Sequence, residues 1–331
     1  MLFCFLHVIA EAKSNPKEDP AQEQSSGILN ISSESKNIEI FTDLLLWSAS
    51  QSGSENWSEI FTTSGSTTNV DILAVDFGWD VGLRAGLNYG MKDDQWDTQL
   101  VYTWFRSDGK ENVGSTGDIH SPFLGNFYIG NADGSKDSGP GYHNANIRWT
   151  ILFHMFDLEL GRKFFESSPL SFRPFLGIKG GWINQSINST WQNPTSGSFT
   201  SATENLKNNF WGLGPSFGLN SRWQWWSLGN HLFNLFADFS GAMMYGHWTF
   251  NDRYLNNGGA EVSIASSDIS GGATMFRIFS GLGWKTSSVS MRCGYEVQVW
   301  LDQLRFYSLN MGRLNTPLTF QGVAFDLQVT F

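Results

Sequence analysis

The chain has 331 residues with 15 Trp, 27 Phe and 35 Gly, only 16% charged residues and a formal net charge of -10. No run of 18 apolar residues follows the amino terminus, which excludes transmembrane helices, and the acidic balance speaks against nucleic-acid binding. Residues 38–331 show no shift of composition that would divide them into domains.

Residues 1–12 read as a signal peptide. Leu2 to Ala10 is a short apolar core, and Ala10-Glu11-Ala12 supplies the small-x-small pattern that places cleavage after Ala12. A basic n-region is missing, which points to a start codon upstream. Residues 13–37 are polar and rich in Ser, Glu, Lys and Pro, with too little apolar surface to fold alone, so a flexible periplasmic leader is expected. Cys4 leaves with the signal, so Cys293 remains alone and no internal disulfide is possible.

From Ile38 onward the apolar residues recur with period two, the signature of a strand with one greasy and one polar face. Ile38 to Trp47 opens the series. In Leu73 to Met91 the odd positions are apolar (Leu73, Val75, Phe77, Trp79, Val81, Leu83), while Asp76, Asp80 and Arg84 stand on the even side. The alternation predicts further strands at Trp96 to Trp104, Asn146 to Gly161, Leu170 to Trp182, Trp211 to Leu219, His231 to Tyr245, Thr274 to Trp284, Val289 to Val299 and Leu318 to Phe331. That makes ten strands, or twelve if residues 106–145 hide a hairpin around Phe123 to Ile129. In Asn146 to Gly161 the odd positions pass from Ile147, Trp149, Ile151 and Phe153 to Asp157 and Glu159. Carboxylates facing lipid would each cost about 2–4 kcal/mol, so a β-bulge between Leu152 and Phe156 that swaps the faces is expected.

Short connections at Lys92–Gln95, Phe164–Pro169, Trp226–Asn230 and Lys285–Ser288 alternate with longer polar segments near 48–69, 106–145, 187–208, 248–272 and 301–316. Barrels of the outer membrane place short turns in the periplasm and long loops outside. The expected fold is an all-β, closed antiparallel transmembrane β-barrel over residues 38–331, in the outer membrane of a Gram-negative bacterium. Phe331, ending the last strand on an aromatic residue, is the expected assembly signal for the barrel-assembly machinery. Trp prefers the membrane interface, and Trp47, Trp79, Trp96, Trp104, Trp149, Trp182, Trp211, Trp223, Trp225, Trp226, Trp248, Trp284 and Trp300 fall at strand ends as two girdles, leaving Trp57 and Trp191 in loops.

The inward face is assigned Asp76, Asp80, Arg84, Asp97, Arg173, Lys179, Arg222, Asp238, Arg277, Arg292, Glu296 and Asp326, with Arg148 beside them. Their charges nearly balance, so no strong ion selectivity is expected. No His/Cys/Asp cluster has metal-ligand spacing, and no metal or other cofactor is expected. His247 with Asp252, and His143 near Asp137, are the only rim pairs with general acid–base chemistry; neither lies in a recognisable motif, and the chain is not expected to be an enzyme.

Four stretches carry a family resemblance: Phe41-Thr42-Asp43-Leu44-Leu45-Leu46-Trp47, the run from Asp76 to Leu87, Asp157-Leu158-Glu159-Leu160-Gly161-Arg162 with Arg173-Pro174-Phe175-Leu176-Gly177, and Gly212-Leu213-Gly214-Pro215. They resemble the Legionella-type major outer membrane protein family, whose members also occur as MOMP-like porins in environmental relatives of chlamydiae. The resemblance covers roughly residues 38–331 and implies a pore-forming outer-membrane barrel. The chain departs from the cysteine-rich porins of pathogenic chlamydiae in its single mature cysteine. The expected partners are outer-membrane lipid and small hydrophilic solutes crossing by passive diffusion. About eight strands give a barrel just filled by its own side chains, so the alternative is a closed structural or adhesin barrel acting through its external loops.

Overall fold

The computed structural model describes residues 38–91, 95–121, 140–165, 169–308 and 312–331. The expected signal and leader, and the hairpin around Phe123 to Ile129, lie outside these residues.

Twelve strands follow in chain order: β1 (Ile38–Gln51), β2 (Ser58–Ser64), β3 (Thr67–Leu73), β4 (Asp80–Gly90), β5 (Trp96–His120), β6 (Tyr142–Arg162), β7 (Leu170–Pro194), β8 (Ser201–Leu228), β9 (His231–Asn256), β10 (Glu261–Lys285), β11 (Val289–Ser308) and β12 (Gly312–Thr330). All pairings are antiparallel. β1 bonds to β12 on one side and β4 on the other, and β5 bonds to both β4 and β6, so β1 and β4–β12 close into a ten-stranded barrel. Closure leaves the wall without an edge. The β2–β3 hairpin stands outside the barrel wall and joins the end of β5 through Glu59 opposite His120.

The strands are long. β7 has 25 residues, β8 28 and β9 26, against about 9–11 for a membrane crossing. Most of the segments expected as external loops are therefore strand. β7 runs to Pro194 and β8 starts at Ser201, and β9 and β10 are joined across Asn257–Ala260. The barrel thus continues beyond the band of apolar outward residues.

Three other expectations are corrected. Leu73 to Met91 is not one strand: β3 ends at Leu73 and β4 begins at Asp80. The intervening chain runs beside β5 with Val75 and Phe77 buried and Asp76 exposed, anchored by Lys110 N–H donating to the Asp76 carbonyl at 3.3 Å. A Cβ on Gly109 would lie 2.6 Å from Val75 Cγ1 and 2.9 Å from Phe77 Cδ1, so only glycine lets this segment seat against β5. Asp76 accordingly does not line the lumen. Second, β6 has no bulge between Leu152 and Phe156. Its register against β5 and β7 is continuous from Asn144 to Gly161, and Ile147, Trp149, Ile151, Phe153, Met155 and Asp157 all point inward while Arg148 is exposed outside. Third, Trp47, Trp149, Trp248 and Trp300 are at 0% exposure inside the barrel, so they are not interface residues; Trp57 and Trp191, expected in loops, are buried too. All six fill the interior.

Candidate functional site

Among the described residues the largest gathering of charged side chains lies in the barrel interior, which is built in two layers. The lower layer is ionic. Arg84 on β4 donates to Asp43 on β1 at 2.7 Å and reaches across the lumen to Glu296 on β11, forming a two-pronged contact at 2.7 and 3.0 Å. Arg277 on β10 donates to the same carboxylate at 2.8 and 2.9 Å. Arg292 joins Asp326 at 3.1 Å and Asp238 at 3.0 Å. A second cluster sits against β5–β8: Arg173 donates to Asp97, to Glu159 at 3.0 Å and to Asn220 at 2.9 Å, and Lys179 pairs with Asp157. Forked guanidinium–carboxylate contacts fix direction as well as distance. Arginine therefore suits a role that ties strands β4, β10 and β11 to one carboxylate.

Of the residues assigned inward from sequence, Arg84, Asp97, Arg173, Lys179, Asp238, Arg277, Arg292, Glu296 and Asp326 are brought together in these clusters. Asp80 lies opposite Trp47 on the inward side, away from the clusters. Arg222 pairs in register with the inward Phe236 near the short-turn end of β8 and is exposed there. Arg148 faces outward, where it donates to Asp108 at 3.2 Å. Sequence reasoning missed Asp43, because Leu44, Leu45 and Leu46 around it make both faces of β1 look apolar.

The upper layer is aromatic. Trp47 stacks on Phe320 with centroids 5.7 Å apart, Phe105 meets Trp47 and Phe320 at 5.3 Å each, and Phe153 meets Phe320 at 5.1 Å and Trp300 at 5.6 Å. All five rings are at 0% exposure. Guanidinium groups of the ionic layer face aromatic rings: Arg84 lies 5.6 Å from the Trp47 ring and Arg292 5.1 Å from Phe236, contacts favoured by the ring quadrupole. Higher still, Trp149 Nε1 donates to Gln185 at 3.0 Å and Gln185 to Gln51 at 3.0 Å. Trp57, Trp191 and Tyr142 complete the packing. Burial raises the phenol pKa of Tyr142 well above its ordinary value.

The rim pair foreseen from sequence is not assembled. His247 points outward and contacts Ser270 at 3.1 Å, whereas Asp252, five residues along the same strand, is buried inside. His143 contacts the Ser115 carbonyl at 3.4 Å, and Asp137 lies outside the described residues. Among the described residues no group of His, Cys, Asp and Glu is arranged to hold a metal ion.

The outward face carries large apolar side chains, among them Leu83, Leu100, Leu158, Leu176, Leu213 and Leu282, a band that suits lipid. The family model described as Legionella pneumophila major outer membrane protein precursor matches residues 30–331. The chain belongs to this family. It is an outer-membrane β-barrel of a Gram-negative bacterium, as the strand pattern and terminal motifs led us to expect. No curated protein matches it. Among solved structures it is similar to the outer membrane protease OmpT from Escherichia coli, at 12% identity and a TM-score of 0.46, covering 89% of this chain and 97% of that one. It is also similar to a major outer membrane protein from Thermus thermophilus (9% identity, TM-score 0.34, 89% and 99% covered) and to the toluene transporter TodX of Pseudomonas putida (10%, 0.33, 89% and 90%).

Within that membrane setting, Trp79, Trp96, Trp182, Trp211 and Trp223 stand exposed on the outward side, with Trp104 and Trp284 partly covered there. Cys293 is a free, outward thiol. Phe331 is exposed, and its N–H donates to the Ile38 carbonyl at 2.9 Å, tying the carboxy-terminal residue to the start of β1.

Proposed function

We propose that this family member is a closed barrel that serves the outer membrane through the part of its wall standing outside the lipid. The observation that carries this reading is the layer of Trp47, Phe105, Phe153, Trp300 and Phe320, all at 0% exposure. At that level a hydrated solute would exchange its water shell for little more than the Trp47 and Trp300 indole N–H groups and the Gln298 amide, and interiors packed to crystal-like density yield only if side chains move together. The size of the barrel agrees, because ten strands enclose little more than their own side chains. Catalysis gains no support from His247 and Asp252, which lie on opposite faces of β9.

Passive diffusion of small hydrophilic solutes is the second reading, favoured by the charged lower layer and by the family resemblance to porins. It requires the aromatic layer to shift. Planar-bilayer recording of the refolded full chain separates the two, with insertion verified by heat-dependent mobility on gels. The closed reading expects no conductance steps from the wild type and steps from Phe153→Ala/Phe320→Ala, which removes the centre of the seal. Regular steps from the wild type would replace it with the diffusion reading.

A further inference from the structure

The outward face of β5–β8 carries a trough of about 420 Å³. Gly180 is its floor, between Phe156 on β6 and Leu213 on β8, which are its register partners. Leu158 and Ile178 extend the trough toward the membrane centre, and Trp182 and Trp211 close its outer end. The missing side chain at Gly180 lets Leu213 lean over the strand and form the wall of the trough: a Cβ there would lie 2.6 Å from Leu213 Cδ1 and would displace it.

Trp182 and Trp211 belong to a row that crosses five strands in register, Trp104, His154, Trp182, Trp211 and His247. Amphipathic aromatics of this kind mark the headgroup level of a membrane. Successive outward positions on a strand are about 6–7 Å apart, so the next three outward positions of β5–β8 lie among and above the headgroups. Their ionisable residues are Arg106, Lys110, Arg148 and Lys207, with one carboxylate, Asp108. Asp108 is shared by Arg106 at 2.9 Å and Arg148 at 3.2 Å. Lys110 and Lys207 have no ion-pair partner among the described residues. Four cations against one carboxylate leave these positions of β5–β8 with an excess of three positive charges, which the exposed Asp76 on the segment beside Lys110 reduces to two, on a chain whose net charge is -10. Further round the barrel the pattern is different: Arg253 on β9 is matched by Glu261 on β10 at 2.7 Å.

We propose that the outward face of β5–β8 is a binding site for a phosphorylated, multiply acylated lipid of the outer leaflet. An acyl chain occupies the trough over Gly180, the Trp182–Trp211 edge meets the headgroup, and Lys110, Lys207 and the Arg106–Asp108–Arg148 group hold its phosphates. Apolar cavity and cationic cluster lie on the same four strands in the order that such a lipid presents its parts. A charge-neutral lipid would use the trough and leave the cations unmatched. The inference rests on the outer-membrane setting and is independent of whether the lumen conducts.

The test uses the purified full chain in detergent, titrated with hexa-acylated bisphosphoryl lipid A, the same lipid dephosphorylated, and phosphatidylglycerol, with bound lipid counted by native mass spectrometry. The expected result is at least a tenfold preference for the bisphosphoryl lipid over both others. Lys110→Glu/Lys207→Glu should remove that preference while heat-dependent gel mobility shows the barrel intact, and Gly180→Leu should weaken both acylated sugars together. Should Gly180→Leu fail to fold, the lysine pair alone carries the test. Equal retention of the three lipids by the wild type, or an unchanged preference in the folded lysine variant, would overturn the proposal.

Discussion

The two halves of this barrel follow opposite rules on the same strands. Below the Trp104–His154–Trp182–Trp211–His247 row, β7 turns Leu176 and Ile178 outward and Lys179 inward; above it, the same strand turns Asn184, Ser186 and Asn188 outward and Ile183, Ile187 and Trp191 inward. Neither the pleat nor the register changes at the row. What changes is the solvent. Lipid outside makes apolar residues favourable on the exterior and leaves the polar ones to satisfy each other within, whereas water outside drives apolar side chains into the interior as in any soluble core. The lower half is held by directed ion pairs and the upper half by undirected aromatic packing.

The largest effect expected from this contrast is at Glu296, fully buried and accepting from both Arg84 and Arg277. Glu296→Ala leaves the buried Arg84 and the half-buried Arg277 guanidinium groups short of a partner. Removing one side of such a pair costs about 3–5 kcal/mol, read as a lowered urea midpoint for the barrel in lipid vesicles. A loss below about 1 kcal/mol would mean that water solvates the lower layer and that the two halves are less different than their packing implies.

A matched pair of lysine substitutions tests the change of solvent itself. Leu176→Lys puts a charge on the outward face within the apolar band, where it costs about 2–4 kcal/mol at the membrane midplane. Asn188→Lys puts the same charge outward on the same strand above the aromatic row, where surface changes fall within about 0.5 kcal/mol. Equal costs at the two positions, measured by the same unfolding titration, would refute the placement of the membrane boundary at Trp182.

This inversion explains what could be read from the chain alone. Strands inside the membrane were legible because runs such as Leu83, Ala85, Leu87 and Tyr89 alternate with Arg84, Gly86 and Asn88, and the ten-strand count followed from them. The upper halves were not. Ser186, Asn188, Thr190, Thr203 and Asn205 have the composition of loops, and only knowledge that water lies outside turns them into the exterior of a strand. The same assumption, that apolar means lipid-facing, produced the unneeded bulge in β6. There Ile147 through Glu159 keep one face while the surroundings of the barrel change from water to lipid. It also sent Trp47, Trp149, Trp248 and Trp300 to the interface, although the packing that claims them comes from across the barrel, as in the contact of Trp300 with Phe153 on β6. Nine of the inward charges were legible as faces, yet the partnership of Arg84 with Glu296 was not, since it joins residues separated by 212 positions.

The smallest effect concerns an ion pair on the water-facing half. Asp108 is partly desolvated, which raises its pKa, but hydrogen bonds from Thr150, Arg106 and Arg148 outweigh that and hold the carboxyl down at about 2. A carboxylate depressed in the folded state contributes stability that is fully present above its unfolded pKa of about 4 and is lost as the pH falls toward about 2. Because the group is only half-buried on the outer wall, solvent screening limits the contribution to under about 1 kcal/mol. Asp108→Asn should therefore lower the unfolding midpoint slightly at pH 7, converge with the wild type near pH 2, and lose its effect in 1 M salt, where the screening length is about 3 Å. The buried Glu296 cluster should resist the same salt, since buried pairs are screened far less. An Asp108→Asn deficit that persists in high salt would mean that the Arg106–Asp108–Arg148 group is shielded from water, contrary to its position on the outer wall.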